Sequence, residues 1–236
     1  MIIPAGGAGK RMGSKIAKQF LLLHEIPVLA RTLNVFQSCT RIDEIVLVVP
    51  ESQLYEVKKS IVDPFEFRKV SSIVPGGPER QDSVKNGLSH VSGGTEFILI
   101  HDAVRPFISV DDVIEVLEAA RDSGAAVMGI PVSDTLKRVT EDQIIISTVD
   151  RGSIWLTQTP QVFRAEVIRE AYRLAYNDGY YATDDSTLVE KLGVAVKIIH
   201  GSPFNIKITT HADMITGEKI LMIPGMDSFA GRVRGN

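Results

Sequence analysis

This chain predicts a mostly parallel β-sheet with helices on both faces, and three observations carry the prediction. Short continuous apolar runs recur at strand length, helical-period segments fall between them, and glycine-bearing turns follow several of the runs. The runs are Ile45–Val49, 72–74, Phe97–Ile100, 125–130 and 194–199; the amphipathic segments cover about 27–38, 51–62, 79–91, 110–122, 164–177 and 184–192. A strand that is apolar along its whole length must be buried on both sides, which is what helices above and below a parallel sheet achieve. In such a sheet ligands bind beyond the carboxyl ends of the strands, and 4–6, 75–77 and 101–102 all fall there.

Taken in order, the first strand opens on Met1-Ile2-Ile3 and runs into PAGGAGKRMGSKIAKQF at 4–20. Gly6, Gly7 and Gly9 carry no Cβ, so the backbone can turn sharply and bring its N–H groups close to an anion, while Lys10, Arg11, Lys15 and Lys18 supply charge. A P-loop needs Ser or Thr after its lysine, where this chain has Arg11, and a dinucleotide fingerprint needs glycine where it has Met12. The glycines alone suit a plain turn equally well. Arg11 beside Met12, and Lys18-Gln19-Phe20 re-entering an apolar run, favour a held charge cluster for a polyphosphate.

Pro27 opens the first helix, and Cys39 at its end reads as packing. Gly76-Gly77-Pro78-Glu79-Arg80-Gln81-Asp82-Ser83 is a second glycine turn opening a helix, again suited to nucleotide contact. Asp102 follows four apolar residues, so its carboxylate emerges at the rim, where it can hold Mg²⁺ or a substrate hydroxyl. Arg105 binds a second anion or pairs with Asp102, and the site role is favoured; His101 reads as a packed histidine with no catalytic task. Ser109 or Asp111 caps the next helix. The stretch at about 132–161 breaks the alternation: 132–139 and 144–149 read as a hairpin joined by a polar turn at 140–143, which covers a site, pairs with another subunit or is a plain edge hairpin, the first two being favoured.

Asp184-Asp185 precedes a helix and reads as an N-terminal acid cluster rather than a metal pair. Arg151 and Lys207 each stand in a mostly apolar neighbourhood, a costly place for a cation without an anion. The tail after Met222 reads as poorly ordered coil, and no repeat, low-complexity tract or interdomain linker interrupts the chain.

Composition bounds the function. With 236 residues and 44% hydrophobic content the chain can bury a full core, and a net charge of −3 argues against general nucleic-acid binding. A single cysteine excludes an internal disulfide framework and fits a reducing, cytoplasmic setting. No apolar run reaches the ~20 residues that span a bilayer, and no signal peptide is visible. The abrupt start leads us to expect that a few residues of the first strand are missing.

Together, PAGGAGKRM, AKQF, GGPERQDSV, HDAVRP, the Asp134-Thr135-Leu136-Lys137-Arg138 stretch, TVDR, QTPQVF, TDDSTLVE and NIKIT resemble, in order and over nearly the whole chain, the 2-C-methyl-D-erythritol 4-phosphate cytidylyltransferases. The resemblance implies a Rossmann-like nucleotidyltransferase domain over 1–222 with a projecting β-arm at about 132–161, a short tail at 223–236, and a homodimer formed through the arms. It implies Mg²⁺-dependent transfer of CMP from CTP to a sugar-alcohol phosphate. By resemblance Arg11, Lys18 and Lys207 are the catalytic, charge-stabilising residues, and Pro4, Ala5, Gly6, Gly7, Gly76, Gly77, Ser83, Asp102 and Ala103 hold the nucleotide. Asp102 and Arg105 then meet the metal or the acceptor, and Thr135 and Arg151 bind the acceptor phosphate of the partner subunit.

Two positions depart from the family pattern. Pro78 stands where a polar or acidic residue is usual near the base, and Ala17 where a proline usually precedes Lys-Gln. Ribitol-5-phosphate cytidylyltransferase is the nearest rival, since it shares the Gly-Gly loop and HDAVRP; the arm and Trp155 favour the methylerythritol enzymes. A catalytically silent nucleotide-binding module is disfavoured by the retention of Arg11, Lys18, Asp102 and Lys207.

Overall fold

The computed structural model describes residues 1–6 and 20–229. Along the chain, β1 (Ile2–Pro4) is followed by β2 (Leu22–Leu23), β3 (Ile26–Pro27), α1 (Val28–Ser38), β4 (Ile45–Val49), α2 (Leu54–Val57), β5 (Val70–Pro75), α3 (Arg80–Leu88) and β6 (Phe97–Ile100). Then come α4 (Val110–Ser123), β7 (Ala125–Pro131), β8 (Leu136–Val139), β9 (Ile145–Val149), β10 (Trp155–Arg164), α5 (Ala165–Asn177), α6 (Asp185–Lys191), β11 (Lys197–His200) and α7 (His211–Leu221). Seven strands form one sheet in the order β11-β7-β10-β6-β1-β4-β5; β2 and β3 form a small hairpin, and β8 and β9 another.

Alternation along the strands sorts the core into two layers. Ile3, Ile45, Leu47 and Val49 pack with Leu29, Leu33 and Phe36 of α1 and Val113 and Val116 of α4. Ile2, Val46 and Val48 pack on the other side with Val84 and Leu88 of α3, Ile168 and Tyr172 of α5, and Leu188 of α6. Every residue of β4 is buried, as a strand covered on both faces requires. Ser109 caps α4 in a capping box with Asp112, and Gly124 ends that helix at φ 85°, a left-handed conformation that glycine adopts without a Cβ clash.

The predicted α/β architecture holds, with one reversal inside it. β10 lies between β6 and β7 and runs antiparallel to both, whereas β1, β4, β5 and β6, and the pair β7 and β11, are parallel. The sequence hid this strand because Pro160 cannot donate to a ladder. The fold admits it where the β10–β7 register slips between Thr157 and Gln161. Reversal brings the first half of β10 to the same rim as the carboxyl ends of β6 and β1.

Other boundaries moved too. The helix expected over 51–62 is a 3-10 turn (Glu51–Gln53), α2 and a π turn (Lys58–Val62), and α3 ends at Leu88. α7 went unpredicted because it buries only Gly217, Ile220 and Leu221 and so lacks a continuous apolar stripe. Among the described residues the β8–β9 hairpin pairs with no other strand, and Val139, Ile144, Ile145 and Ile146 stand exposed on it. That matches the hairpin expected at 132–149, whereas 155–164 belongs to the central sheet rather than to the arm.

The tail was expected to be coil, yet 227–229 are docked. Arg31, 2% exposed in α1, donates through Nε to Leu23 O (2.8 Å), through Nη2 to His24 O (3.3 Å) and through Nη1 to Asp227 Oδ1 (2.6 Å). Asn34 Nδ2 donates to Ser228 O at 2.9 Å, and Phe229 is buried edge-on against Phe65. A buried guanidinium needs its counter-ion more than a surface one does. Asp227→Ala is therefore expected to lower stability by about 3 kcal/mol, the low end for breaking a buried pair because Asp227 is itself a quarter exposed. Chemical denaturation checks this, and a loss below about 0.5 kcal/mol would mark the pair as an ordinary surface contact.

Candidate active site

The strand order turns at β1: β4 and β5 lie on one side, β6 on the other. That switch leaves a crevice at the carboxyl ends of β1 and β6, where Ala5 N–H donates to Val48 O at 2.6 Å and His101 N–H to Ile2 O at 3.1 Å. Pro4 ends β1 at this rim, Ala5 and Gly6 follow it, and Ala103 is buried just past β6. Gly7, Arg11 and Lys18 lie outside the described residues.

On the β5 side the second glycine turn packs against α3. Ser83 Oγ accepts from Gly77 N–H (3.2 Å) and donates to Glu79 O (3.1 Å), fastening the turn to the first coil of the helix. A Cβ on Gly77 would come within 2.3 Å of Asp82 Cβ, so no side chain fits there. Glu79 and Asp82 form a capping box, which fixes where α3 begins and hence where Arg80 points.

Asp102 is the centre of the site. Its Oδ1 meets Arg80 Nε at 3.2 Å; its Oδ2 meets Lys207 Nζ at 2.8 Å and Arg105 Nε at 3.6 Å. Burial pushes this carboxyl up, but the charges of Arg80, Lys207 and Arg105 outweigh it and hold Asp102 well below the usual carboxylate range. Burial opposes the charge on Arg105, whereas for Arg80 Asp185 and Asp102 outweigh burial and raise its pKa. The pairing of Arg105 with Asp102 and its place in the cavity wall are therefore both present.

Neighbouring segments hold this cluster in place. Asp102 N–H donates to Thr159 Oγ1 (3.1 Å), Thr159 Oγ1 bonds His101 Nδ1 (3.0 Å), and His101 Nε2 bonds Arg105 O (3.1 Å). Because a carbonyl can only accept, Nε2 carries the proton and Nδ1 accepts from Thr159. The 201–210 segment runs alongside: Ile208 N–H donates to Val104 O at 2.9 Å and Arg105 Nη1 to Asn205 O at 2.6 Å, which brings Lys207 to Asp102. Lys207 thus has the anion that its neighbourhood required.

A cavity of about 370 Å³ opens over this cluster, walled by Arg80, Asp102, Arg105, Lys207 and a hydroxyl- and amide-bearing side that includes Thr157, Gln158, Thr159 and Thr183. Sequence reading missed the β10 residues, because that strand was not recognised as central. It also missed Arg80, for which a signal existed: a capped helix start after a glycine turn puts its first side chain at the rim. Asp184 is the N-cap of α6, as an acid cluster at a helix start requires. Asp185 departs from that reading: it is 1% exposed and pairs with Arg80 at 2.8 Å.

Thr135 and Arg151 do not line this cavity. Both are exposed, Thr135 just before β8 and Arg151 just after β9, and Arg151 donates to Ser133 O within the arm. Arg151 therefore stands in solvent and bears no burial cost, contrary to the apolar neighbourhood read from the sequence. Among the described residues no three His, Cys, Asp or Glu side chains converge as a metal cage. A single carboxylate such as Asp102 nevertheless suits Mg²⁺, which characteristically takes one or two carboxylates and fills its shell with phosphate and water.

Residues 1–222 match the sequence family of 2-C-methyl-D-erythritol 4-phosphate cytidylyltransferase (IspD). The chain belongs to that family. Among cytidylyltransferases of this name, the one from Syntrophus aciditrophicus (strain SB) is 49% identical over 220 residues, 93% of this chain and 94% of the relative, and the one from Alkaliphilus oremlandii (strain OhILAs) is 46% identical over 94% of both. The crystal structure of 4-diphosphocytidyl-2C-methyl-D-erythritol synthase from Anaerococcus prevotii DSM 20548 superimposes with a TM-score of 0.82 at 31% identity, covering 94% of each chain. That of the cytidylyltransferase from Thermus thermophilus gives 0.76 at 33% identity over 94% of this chain and 98% of the other.

His101 gives this arrangement a measurable signature. Burial lowers its pKa from 6.5 to about 4, so the ring stays neutral in the fold while the unfolded chain protonates it. Because the unfolded state then binds the extra proton, the His101 contribution to stability is complete above about pH 6.5 and is lost as pH falls toward about 4. NMR of the imidazole should find a neutral ring with its proton on Nε2 down to about pH 4. A folded-state transition near 6.5 would contradict the buried hydrogen-bonded placement.

Proposed function

We propose that this protein transfers CMP from CTP to 2-C-methyl-D-erythritol 4-phosphate, forming 4-diphosphocytidyl-2-C-methyl-D-erythritol and pyrophosphate, and so supplies isoprenoid biosynthesis. The observation that carries the reading is the convergence of Arg80, Arg105 and Lys207 on Asp102 in a cavity at the β1–β6 switch of a family member. Two polyanions must approach each other for this reaction. Fixed cations in a partly enclosed site offset their repulsion, and then the charge that develops at the transferred phosphorus.

The acceptor's phosphate oxygen attacks the α-phosphorus of CTP in line. One P–O bond forms, the bond to the pyrophosphate bridge breaks, and the electron pair leaves with pyrophosphate. The nucleophile is anionic at neutral pH, so no strong general base is required, consistent with a neutral, fully bonded His101. Arg11, Lys18 and Lys207 stabilise the triphosphate; the rim of Pro4, Ala5, Gly6 and Gly7, the turn at Gly76 and Gly77, Ser83 and Ala103 receive the nucleotide. Asp102 would hold Mg²⁺ together with substrate phosphates, the ion supplying further neutralisation of charge. Asp102 and Arg105 also meet the acceptor.

The reading extends to assembly. Four exposed aliphatic side chains on the β8–β9 hairpin, Val139, Ile144, Ile145 and Ile146, favour burial against a second copy. A homodimer of this kind would let Thr135 and Arg151 reach the acceptor phosphate of the partner subunit. The nucleotidyltransferase domain is taken as 1–222 with the β8–β9 hairpin as its arm, followed by the tail at 223–236. A cytoplasmic location agrees with the lone, buried Cys39, and no helix among the described residues is long and apolar enough to cross a membrane.

Pyrophosphate release with CTP and Mg²⁺ tests the reading when methylerythritol phosphate and ribitol 5-phosphate are compared as acceptors. Methylerythritol phosphate is expected to be preferred; preference for the pentitol would move the assignment to the sister activity, and no CTP-dependent release would leave a silent module. In the same assay Arg11→Ala, Lys18→Ala and Lys207→Ala should each reduce turnover by ~10²-fold or more, the scale of losing one preorganised stabilising group. Near-normal turnover would remove the substituted residue from its role.

A further inference from the structure

We propose that Arg80 is a positioning residue which, anchored by Asp185 and Tyr172, holds Asp102 in orientation while Lys207 and Arg105 engage the substrates. This inference rests on the functional reading above and adds residues which that reading does not use.

The geometry is a chain of single-use contacts running from the core to the rim. Tyr172, 3% exposed in α5, donates its hydroxyl to Asp185 Oδ1 at 2.5 Å. The other oxygen, Asp185 Oδ2, accepts from Arg80 Nη2 at 2.8 Å, and Arg80 Nε reaches Asp102 Oδ1 at 3.2 Å. Asp185 is fixed on its backbone side as well, its N–H donating to Gln161 Oε1 at 3.1 Å. The neighbouring residue of α3 reinforces the link: Gln81 donates to Tyr180 O (3.0 Å) and accepts from Ala182 N–H (2.9 Å), tying the helix start to the segment that leads into α6.

The three cations on Asp102 are not equivalent. Among the described residues Arg80 alone pairs with Oδ1, whereas Lys207 and Arg105 share Oδ2. Lys207 is the most exposed of the three at 37% and its ammonium sits on a flexible stem, so an incoming phosphate can draw it away. Arg80 is different because its planar fork spans two carboxylates, and to follow a phosphate it would have to abandon the 1% exposed Asp185. A buried carboxylate stripped of its counter-ions is strongly unfavourable. Arg80 prevents that, keeping Asp102 paired and aimed while the other two cations turn to substrate.

The experiment compares kcat, the KM for each substrate and the melting temperature for the wild type, Arg80→Lys, Asp185→Asn, Tyr172→Phe and the double variant of the first two. Lysine keeps the charge but cannot span both carboxylates; asparagine leaves Arg80 in place without its anchor. Arg80→Lys and Asp185→Asn are each expected to lower kcat by about 10- to 100-fold, the scale of a small misplacement, with the KM for CTP nearly unchanged. The double variant should be no slower than the slower single, because both break one chain. Tyr172→Phe, which only loosens the anchor, should lower kcat less while keeping a melting temperature close to wild type, so the proposal stays testable if Asp185→Asn fails to fold.

The proposal is overturned if Tyr172→Phe and Asp185→Asn keep wild-type kcat while Arg80→Lys raises the acceptor KM, since Arg80 then contacts the acceptor directly. It is also overturned if the variants change melting temperature alone. An inactive wild type would instead bring down the functional reading itself, a result distinguishable from either.

Discussion

A single carboxylate organises this site. Asp102 is nearly buried, yet three cations from separate parts of the chain converge on it: Arg80 from the start of α3, Arg105 from the turn after β6, and Lys207 from the segment before α7. None of the three could be held so close to the others without an anion between them, since like charges at this range repel strongly in a partly desolvated cavity. Without its cations, Asp102 would be a buried charge with no partner. The site is therefore a mutual compensation, and the fold's task is to bring those segments to one point.

The sheet accomplishes this through one reversal. Had the strand beside β6 run parallel, its first residues would lie at the far edge; antiparallel β10 instead delivers Thr157, Gln158 and Thr159 to the rim. Thr159 then bonds both the Asp102 backbone and His101, and Asn205 Nδ2 donates to Thr159 O at 2.9 Å, so β10 joins the β6 turn to the Lys207 segment. The register slip that accommodates Pro160 is part of the same feature, because it interrupts the ladder with β7 between Thr157 and Gln161, where β10 lines the cavity. A buried, uncharged His101 serves this joint as a strut rather than as an acid or base.

Much of this was legible in the sequence, for identifiable reasons. Continuous apolar runs made β4 and β6 unmistakable, and the position of Asp102 just past such a run forced its carboxylate to the rim. Contacts over long sequence separations were less legible. Nothing local to Arg80 announces that it meets Asp185, 105 positions away, and an aspartate beside an N-cap looks like any other helix-start acid. Likewise β10 was concealed by its proline, α7 by its weak apolar stripe, and the docking of Asp227 and Phe229 by their place in a glycine-containing tail. Short-range chemistry can be read from pattern; pairing between distant segments needs the fold.

If Asp102 is what allows the cations to act together, exchanging its charge for an isosteric amide should disable the reaction by releasing the cations that its carboxylate holds together. The direct test is the rate of pyrophosphate release per folded molecule of Asp102→Asn at saturating CTP, Mg²⁺ and methylerythritol phosphate. The account predicts a fall of ~10²-fold or more, as expected when preorganised charge is lost from such a site. Turnover close to that of the wild type would contradict it.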